Sequence, residues 1–306
     1  MTDFHSGFVA IIGRPNVGKS TLVNALLGQK VAAVSPKAQT TRRRQLGILT
    51  TATYQLIFVD TPGLHNPRHK LGEYLNQEAR ESLDGVDAVL WLVDATTDPT
   101  EDDEQIAALL PRRTPLVLGL NKMDLVPAPW LSARRDAYQA HVTREAHVVN
   151  LSATRGDGLP ELLSLLVSFL PVREAEFDAE QVTDLYEKEI AADLIREAAL
   201  LNLRDEVPHG VAVRIDEFKE RENGVAYIGA TLFVERESQK GIVIGEGAKM
   251  LKAIGSAARK EIESMSGRPV FLELRVKVLK GWRDDEEWLR RFGYKVKKKE
   301  ERGKKK

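Results

Sequence analysis

No cysteine occurs among the 306 residues, which excludes disulfides and thiolate metal sites and fits a reducing compartment. No stretch reaches the ~18 uninterrupted apolar residues that a spanning helix needs. The start, Met1-Thr-Asp-Phe-His-Ser, lacks the basic opening and apolar run of a secretory leader. A cytoplasmic protein is expected, with peripheral contact at the cell membrane left open. Net charge is also missing: 45 Lys and Arg balance 45 Asp and Glu, so overall charge neither demands nor excludes a nucleic-acid partner. That neutrality hides a gradient. Residues 173–294 hold 20 basic and 25 acidic side chains, whereas 295–306 hold eight and two.

What is present points to two soluble domains, since the length exceeds one ordinary core. Across residues 7–170, Phe8–Ile12, Gln55–Val59, Ala88–Val93, Leu116–Leu120 and His147–Leu151 are nearly continuous runs of Val, Ile and Leu. Such runs suit parallel strands buried on both faces. Helical patterns near 19–28, 71–84, 101–110, 131–140 and 158–169 alternate with them, giving a doubly wound, mostly parallel α/β sheet with ligands at the C-terminal strand ends. The pattern predicts a first domain over 1–171 and a linker over 172–183. A second domain over 184–294 and a basic tail over 295–306 follow. In the second domain a helix from about Asp184 to Leu203 precedes strands Gly210–Arg221 and Val225–Glu235, joined through Asn223-Gly224, a strong hairpin signal. Helices near 238–244 and 248–265 and a strand Val270–Lys280 complete an α-β-β-α-α-β order.

Gly13-Arg14-Pro15-Asn16-Val17-Gly18-Lys19-Ser20 follows a strand and opens a helix continuing at Thr21. It matches the phosphate-binding G-x-x-x-x-G-K-[ST] loop in its proper context. Backbone N–H groups and the helix N-terminus would cradle phosphates, Lys19 would reach the β- and γ-phosphates, and Ser20 would ligate Mg²⁺. Asp60-Thr61-Pro62-Gly63, followed by Leu64, ends another strand. There Asp60 would hold Mg²⁺ through water and the Gly63 amide would meet the γ-phosphate. Asn121-Lys122-Met123-Asp124 supplies base identity: the Asp124 carboxylate can accept from guanine N1–H and its 2-amino group, which adenine cannot offer. Ser152 and Ala153 would close the base pocket near guanine O6. Between the first two motifs, Thr41, with Thr40 as the alternative, would complete the Mg²⁺ shell in the GTP state. Arg42, Arg43 and Arg44 read either as solvated charge or as contacts to phosphate or RNA.

The combination GRPNVGKS, KAQTTR, DTPGLH, NKMD and LSA resembles the bacterial Era GTPase family, and the resemblance covers nearly the whole chain. It implies a P-loop NTPase domain followed by an α+β type II KH domain whose signature falls on Lys240 to Gly255. KH domains clamp about four single-stranded nucleotides with a G-x-x-G loop. Here that loop reads Gly245-Glu246-Gly247-Ala248, with Ala in place of the second Gly. Ile242, Ile244 and Leu251 would floor the groove, and Lys240, Lys249 and Lys252 are the nearest basic candidates. The resemblance further implies a monomeric switch using GTP, GDP and Mg²⁺. Its partner would be 16S ribosomal RNA near the 3′ end, during maturation of the 30S subunit. A GTP-gated protein- or membrane-recruitment module, using the tail on anionic lipid, is the alternative.

For hydrolysis no catalytic base is assigned. Leu64 stands where Ras-like proteins have a water-orienting glutamine, so turnover should be slow. His65 reads as a solvent-facing switch residue. Lys19 is one candidate for charge stabilisation. Asn16 is the other, acting through K⁺, an ion that related GTPases with this asparagine hold near the phosphates.

Overall fold

The computed structural model describes residues 3–37 and 39–294; the basic tail read at 295–306 lies outside them. The first domain is a six-stranded sheet of order β2-β3-β1-β4-β5-β6. Its strands are β1 (His5–Ile12), β2 (Gln45–Thr50), β3 (Tyr54–Asp60), β4 (Ala88–Asp94), β5 (Leu116–Asn121) and β6 (His147–Asn150). All neighbours pair in parallel except β2, which runs antiparallel to β3. Helices α1 (Lys19–Leu27) and α5 (Leu159–Ser168) cover one face; α2 (Lys70–Glu81), α3 (Glu101–Leu109) and α4 (Leu131–Gln139) cover the other. Successive strand residues therefore serve different cores. Val9 and Ile11 pack with Leu22 and Leu162, while Ala10 and Ile12 pack with Ile106 and Tyr138. Burial on both faces is why these strands show no polar alternation.

The second domain contains α6 (Glu187–Asn202), β7 (Ala212–Glu220), β8 (Ala226–Val234), α7 (Glu237–Ile244), α8 (Lys249–Ser266) and β9 (Val270–Val278), followed by α9 (Glu286–Arg291). Its sheet has the order β7-β8-β9, with β7–β8 antiparallel and β8–β9 parallel. Ala226, Ile228, Ala230, Leu232 and Val234 alternate along β8 onto a core shared with α6 and α8, while Phe233 turns to the other face and packs with Trp282, Trp288 and Phe292. The α-β-β-α-α-β order is as read from the sequence.

Strand β2 and helix α9 were not expected. The segment read as a linker follows the first sheet closely. Arg173 N donates to Phe4 O (3.1 Å), Gln55 receives the N–H groups of Glu176 (2.8 Å) and Phe177 (3.0 Å), and Ile48 N on β2 donates to Val182 O (2.9 Å).

Candidate functional site

The C-terminal ends of β1, β3 and β5 converge on a cleft of about 410 Å³. Among the motif residues, Pro15, Asn16, Gly18, Lys19, Ser20, Thr21, Thr41, Gly63, Asn121, Lys122, Asp124 and Ala153 line it. Its wall also includes Ser35, Pro36, Gln39 and Thr40, placed by the segment between α1 and β2, and Leu125 and Thr154 beside the motifs that read the base.

The loop wraps tightly because Gly18 sits at φ 103, where a Cβ would lie 2.3 Å from Asn121 Nδ2. Asn121 is the strut of the pocket: its Nδ2 donates to Val17 O (2.7 Å) and its Oδ1 accepts from Ala153 N (2.9 Å). Lys122 reinforces this by donating to Asn16 O (2.9 Å) and Asp94 Oδ2 (2.6 Å). The Ala153 N–H, at the position read as lying near guanine O6, is thus engaged with Asn121 in this conformation. Asp124 lines the cleft with a buried Oδ1 that has no hydrogen-bond partner. An orphan acceptor of this kind is costly unless a donor arrives, and the N1–H and 2-amino group of guanine are suitable donors.

At the phosphate end Lys19 Nζ donates to Gly13 O (3.0 Å) and Arg14 O (2.8 Å). Burial lowers its ammonium to about 8, against the attraction of Asp60. Asp60 is pushed up, again by burial, against Lys19, Ser20, Gln45 and Thr41. Ser20 Oγ donates to Asp60 Oδ2 (2.8 Å) and meets Thr41 Oγ1 at 2.7 Å, while Asp60 Oδ1 is buried without a partner. A buried cation facing the loop and a buried carboxylate flanked by two hydroxyls fit a polyphosphate and a hard divalent cation. Each would restore the charge that burial disfavours. Thr40 is turned elsewhere, its hydroxyl donating to Lys37 O (2.8 Å).

Several motif residues serve the frame. Val17 is in the core beneath α1 and α5, and Met123 packs against the core on the opposite face; Thr61 donates to Ile11 O (2.8 Å); Ser152 is fully buried. Arg14 turns away from the cleft to pair with Asp103 on α3 (2.8 Å). Gly13 and Pro62 are backbone positions outside the lining. Leu64 is buried among the side chains between the sheet and α2–α4, so it cannot hold a water in the cleft. His65 does not face solvent as expected. Its Nδ1 contacts Gly63 O (3.0 Å) and its Nε2 contacts Gln39 Nε2 (2.8 Å).

In the second domain Gly245 ends α7 at φ 70 and ψ 169, a backbone region that only glycine enters readily, and a Cβ there would lie 2.8 Å from Met250 Cβ. Gly247 (φ 57) and Ala248 (φ 61) are both left-handed, and α8 starts at Lys249. The loop therefore makes its sharp turn despite the missing second glycine. Ile242, Glu246, Gly247, Lys249 and Lys252 are exposed, while Lys240, Ile244 and Leu251 are half-buried.

Residues 8–122 match the family described as 50S ribosome-binding GTPase, and residues 206–283 match the KH domain family. The chain is 47% identical over 296 residues to GTPase Era of Ruminiclostridium cellulolyticum, covering 96% of this chain and 99% of that protein. It is 46% identical to GTPase Era of Lacticaseibacillus paracasei, covering 97% and 99%. The chain belongs to the Era GTPase family. Among solved structures, Era in complex with MgGDPNP and nucleotides 1506–1542 of 16S ribosomal RNA superposes with a TM-score of 0.90 at 39% identity. An Aquifex aeolicus Era variant bound to GDP and AlF₄⁻ does so at 0.90 and 40%. Each match covers 96% of this chain and 100% of the other.

This Era-family GTPase uses its arginine triplet in a way that neither reading of the sequence foresaw. Arg42 is 3% exposed. It donates to Val211 O (2.8 Å) and His209 O (2.9 Å) and lies 5.7 Å from the Trp282 ring centroid. Arg43 pairs with Glu189 (3.3 Å) and Asp193 (3.6 Å) on α6. Both guanidinium groups bind the second domain. Only their placement across the interface makes this visible, because their partners lie some 150 residues further along the chain.

Proposed function

We propose that this GTPase is a Mg²⁺-dependent switch whose KH domain binds single-stranded RNA near the 3′ end of 16S ribosomal RNA, in the cytoplasm, during maturation of the 30S subunit. The observation that carries this reading is the pairing in one chain of a cleft with an orphan Asp124 carboxylate and a sharply turned Gly245–Ala248 loop. The full-length similarity to an Era bound to both ligands supports it.

In this reading Ser20 and Thr41 ligate Mg²⁺ and Asp60 holds it through water; the ion neutralises charge between the β- and γ-phosphates. Lys19 and the loop amides bear on the same oxygens. With Leu64 buried, water placement falls to the backbone around Gly63, and turnover is slow. Asn16, at φ 65 with its carboxamide donating to Pro36 O (2.7 Å), borders the phosphates and is the residue that would help hold K⁺. Hydrolysis should then run faster in K⁺ than in Na⁺, and equal rates in the two salts would remove that part.

RNA enters the loop from Gly245 to Ala248, over Ile242, Ile244 and Leu251, toward Lys240, Lys249 and Lys252. The N-terminus of α8 adds favourable potential for a phosphate, whereas the exposed Glu246 opposes it. The test is titration of a 3′-terminal 16S RNA fragment against the protein with a GTP analogue or GDP, alongside crosslinking and sequencing of RNA bound in cells. Tighter binding with the analogue and recovery of one ribosomal site support the reading. Diffuse recovery, with vesicle binding of the full chain, would favour the membrane-recruitment alternative; no helix among the described residues is long and apolar enough to cross a membrane.

A further inference from the structure

Helix α6 of the KH domain touches the segment that walls the nucleotide cleft. Arg196, whose side chain is 5% exposed, donates through Nη1 to Gln39 O (3.0 Å) and through Nη2 to Thr40 O. Its nearest carboxylate, Asp193, stands off at 3.6 Å. Burial, followed by the neighbouring Arg42, lowers its guanidinium to about 10, so it stays charged at neutral pH. A desolvated cation held mainly by two backbone carbonyls is an expensive arrangement unless those carbonyls are fixed in place. They belong to the two residues immediately before Thr41.

Gln39 adds a second connection. It sits at φ 61, a left-handed value uncommon for a residue with a Cβ, and its Nε2 donates to His65 Nε2 (2.8 Å). His65, with its proton on Nδ1, donates in turn to Gly63 O (3.0 Å). The backbone of Gln39 thus faces the second domain while its side chain holds the segment that carries Gly63. The segment between α1 and β2, which carries Gln39, is further pinned where Lys37 Nζ donates to Leu203 O, just beyond α6.

We infer that Arg196 is a positioning residue for GTP hydrolysis: from the KH domain it fixes Gln39 and Thr40, and so presents Thr41 and Gly63 to Mg²⁺ and the γ-phosphate. The inference rests on the proposed role of Thr41 as a Mg²⁺ ligand. GDP, which lacks the γ-phosphate, makes no demand on this arrangement. Docking of α6 is therefore a condition for full turnover.

The test uses the full chain with Arg196→Met, which keeps bulk without donors, and Arg196→Lys, which keeps charge but cannot span both carbonyls. Arg196→Met should lower kcat for GTP about tenfold and raise the Mg²⁺ concentration that half-saturates the GTP-analogue complex by a similar factor. GDP affinity should stay within twofold, and Arg196→Lys should fall between. Equal losses for GDP and the GTP analogue would mark Arg196 as merely structural and overturn the inference. Wild-type kcat and Mg²⁺ dependence in either folded variant would overturn it too. Should Arg196→Met not fold, as judged by circular dichroism, Arg196→Lys decides alone. Thr41→Ala separates the two readings. If it leaves hydrolysis intact, the Mg²⁺ role of Thr41 is wrong; if it impairs hydrolysis while the Arg196 variants do not, only the present inference falls.

Discussion

The hydroxyls of Ser20 and Thr41 meet at 2.7 Å, bringing the first turn of α1 against the segment that leads into β2. Ser20 would serve GDP and GTP complexes alike, because its oxygen does not depend on the γ-phosphate. Ser20→Ala should therefore weaken both nucleotides about tenfold in Mg²⁺, roughly 1.4 kcal/mol. The loss should be small in EDTA. Titration with fluorescent GDP and a GTP analogue, with and without Mg²⁺, checks this; equal losses in both buffers would sink it.

At the other end of the cleft, Asp124→Asn exchanges an acceptor-only carboxylate for an amide that presents a donor to guanine. The expected loss of GTP affinity is at least 100-fold, about 2.7 kcal/mol, without loss of fold. Calorimetry and a melting temperature within a few degrees of wild type together test the base pocket. Normal GTP binding by this variant would refute the assigned role of Asp124.

Lys19 makes the stability of the nucleotide-free protein depend on pH in the alkaline range. Its folded value of about 8 lies below the ordinary 10.5. Between the two, the unfolded chain keeps the proton that the folded chain has lost, so the free energy of unfolding rises with pH over this window, by up to about 3 kcal/mol. Below pH 8 the folded state carries the full burial penalty. Urea denaturation of the nucleotide-free protein from pH 7 to 10 should show the slope, and Lys19→Met should flatten it. Bound phosphate favours the charged form, so nucleotide binding above pH 8 should take up a proton, measurable by calorimetry in buffers of different ionisation enthalpy.

Ala248 occupies a left-handed position that costs a Cβ-bearing residue about 1 kcal/mol. Glycine relieves this but gains freedom in the unfolded chain, which offsets part of it. Ala248→Gly should stabilise the protein by about 0.5 kcal/mol in urea unfolding. Gly245→Ala, meeting Met250 in a backbone region closed to alanine, should destabilise by about 2 kcal/mol or more. No change in either variant would mean that the loop adopts another conformation.

The nucleotide motifs were legible because each is a short run whose chemistry is complete within itself. Strand β2 was not. Gln45-Leu-Gly-Ile-Leu-Thr50 is short, follows three arginines and contains Gly47, whose Cβ would lie 2.7 Å from Val23 Cγ1. Close approach of α1 requires that glycine, yet in a sequence it reads as a break. Helix α9 escaped notice because Glu286–Arg291 is six residues, four of them charged, with only Trp288 and Leu289 apolar. Its stability comes from Asp285, whose side chain accepts from Glu287 N and Trp288 N, and from packing against Phe233, Trp282 and Phe292. The meanings of Arg42, Arg43, His65 and Arg196 could not be read at all, because each depends on a partner distant in the chain.

The hydrogen bonds from Ile48 N to Val182 O and from Leu46 N to the Asp184 carboxylate occupy the outer rim of β2. Phe177 covers Leu46, Ile48, Ile57 and Val59 beneath it. A fragment ending near residue 171 would keep every nucleotide motif but bare a strand with free backbone groups above an apolar patch. That combination invites strand-to-strand association between copies. The chain that joins the two domains therefore also serves as the cover of the first sheet's open edge.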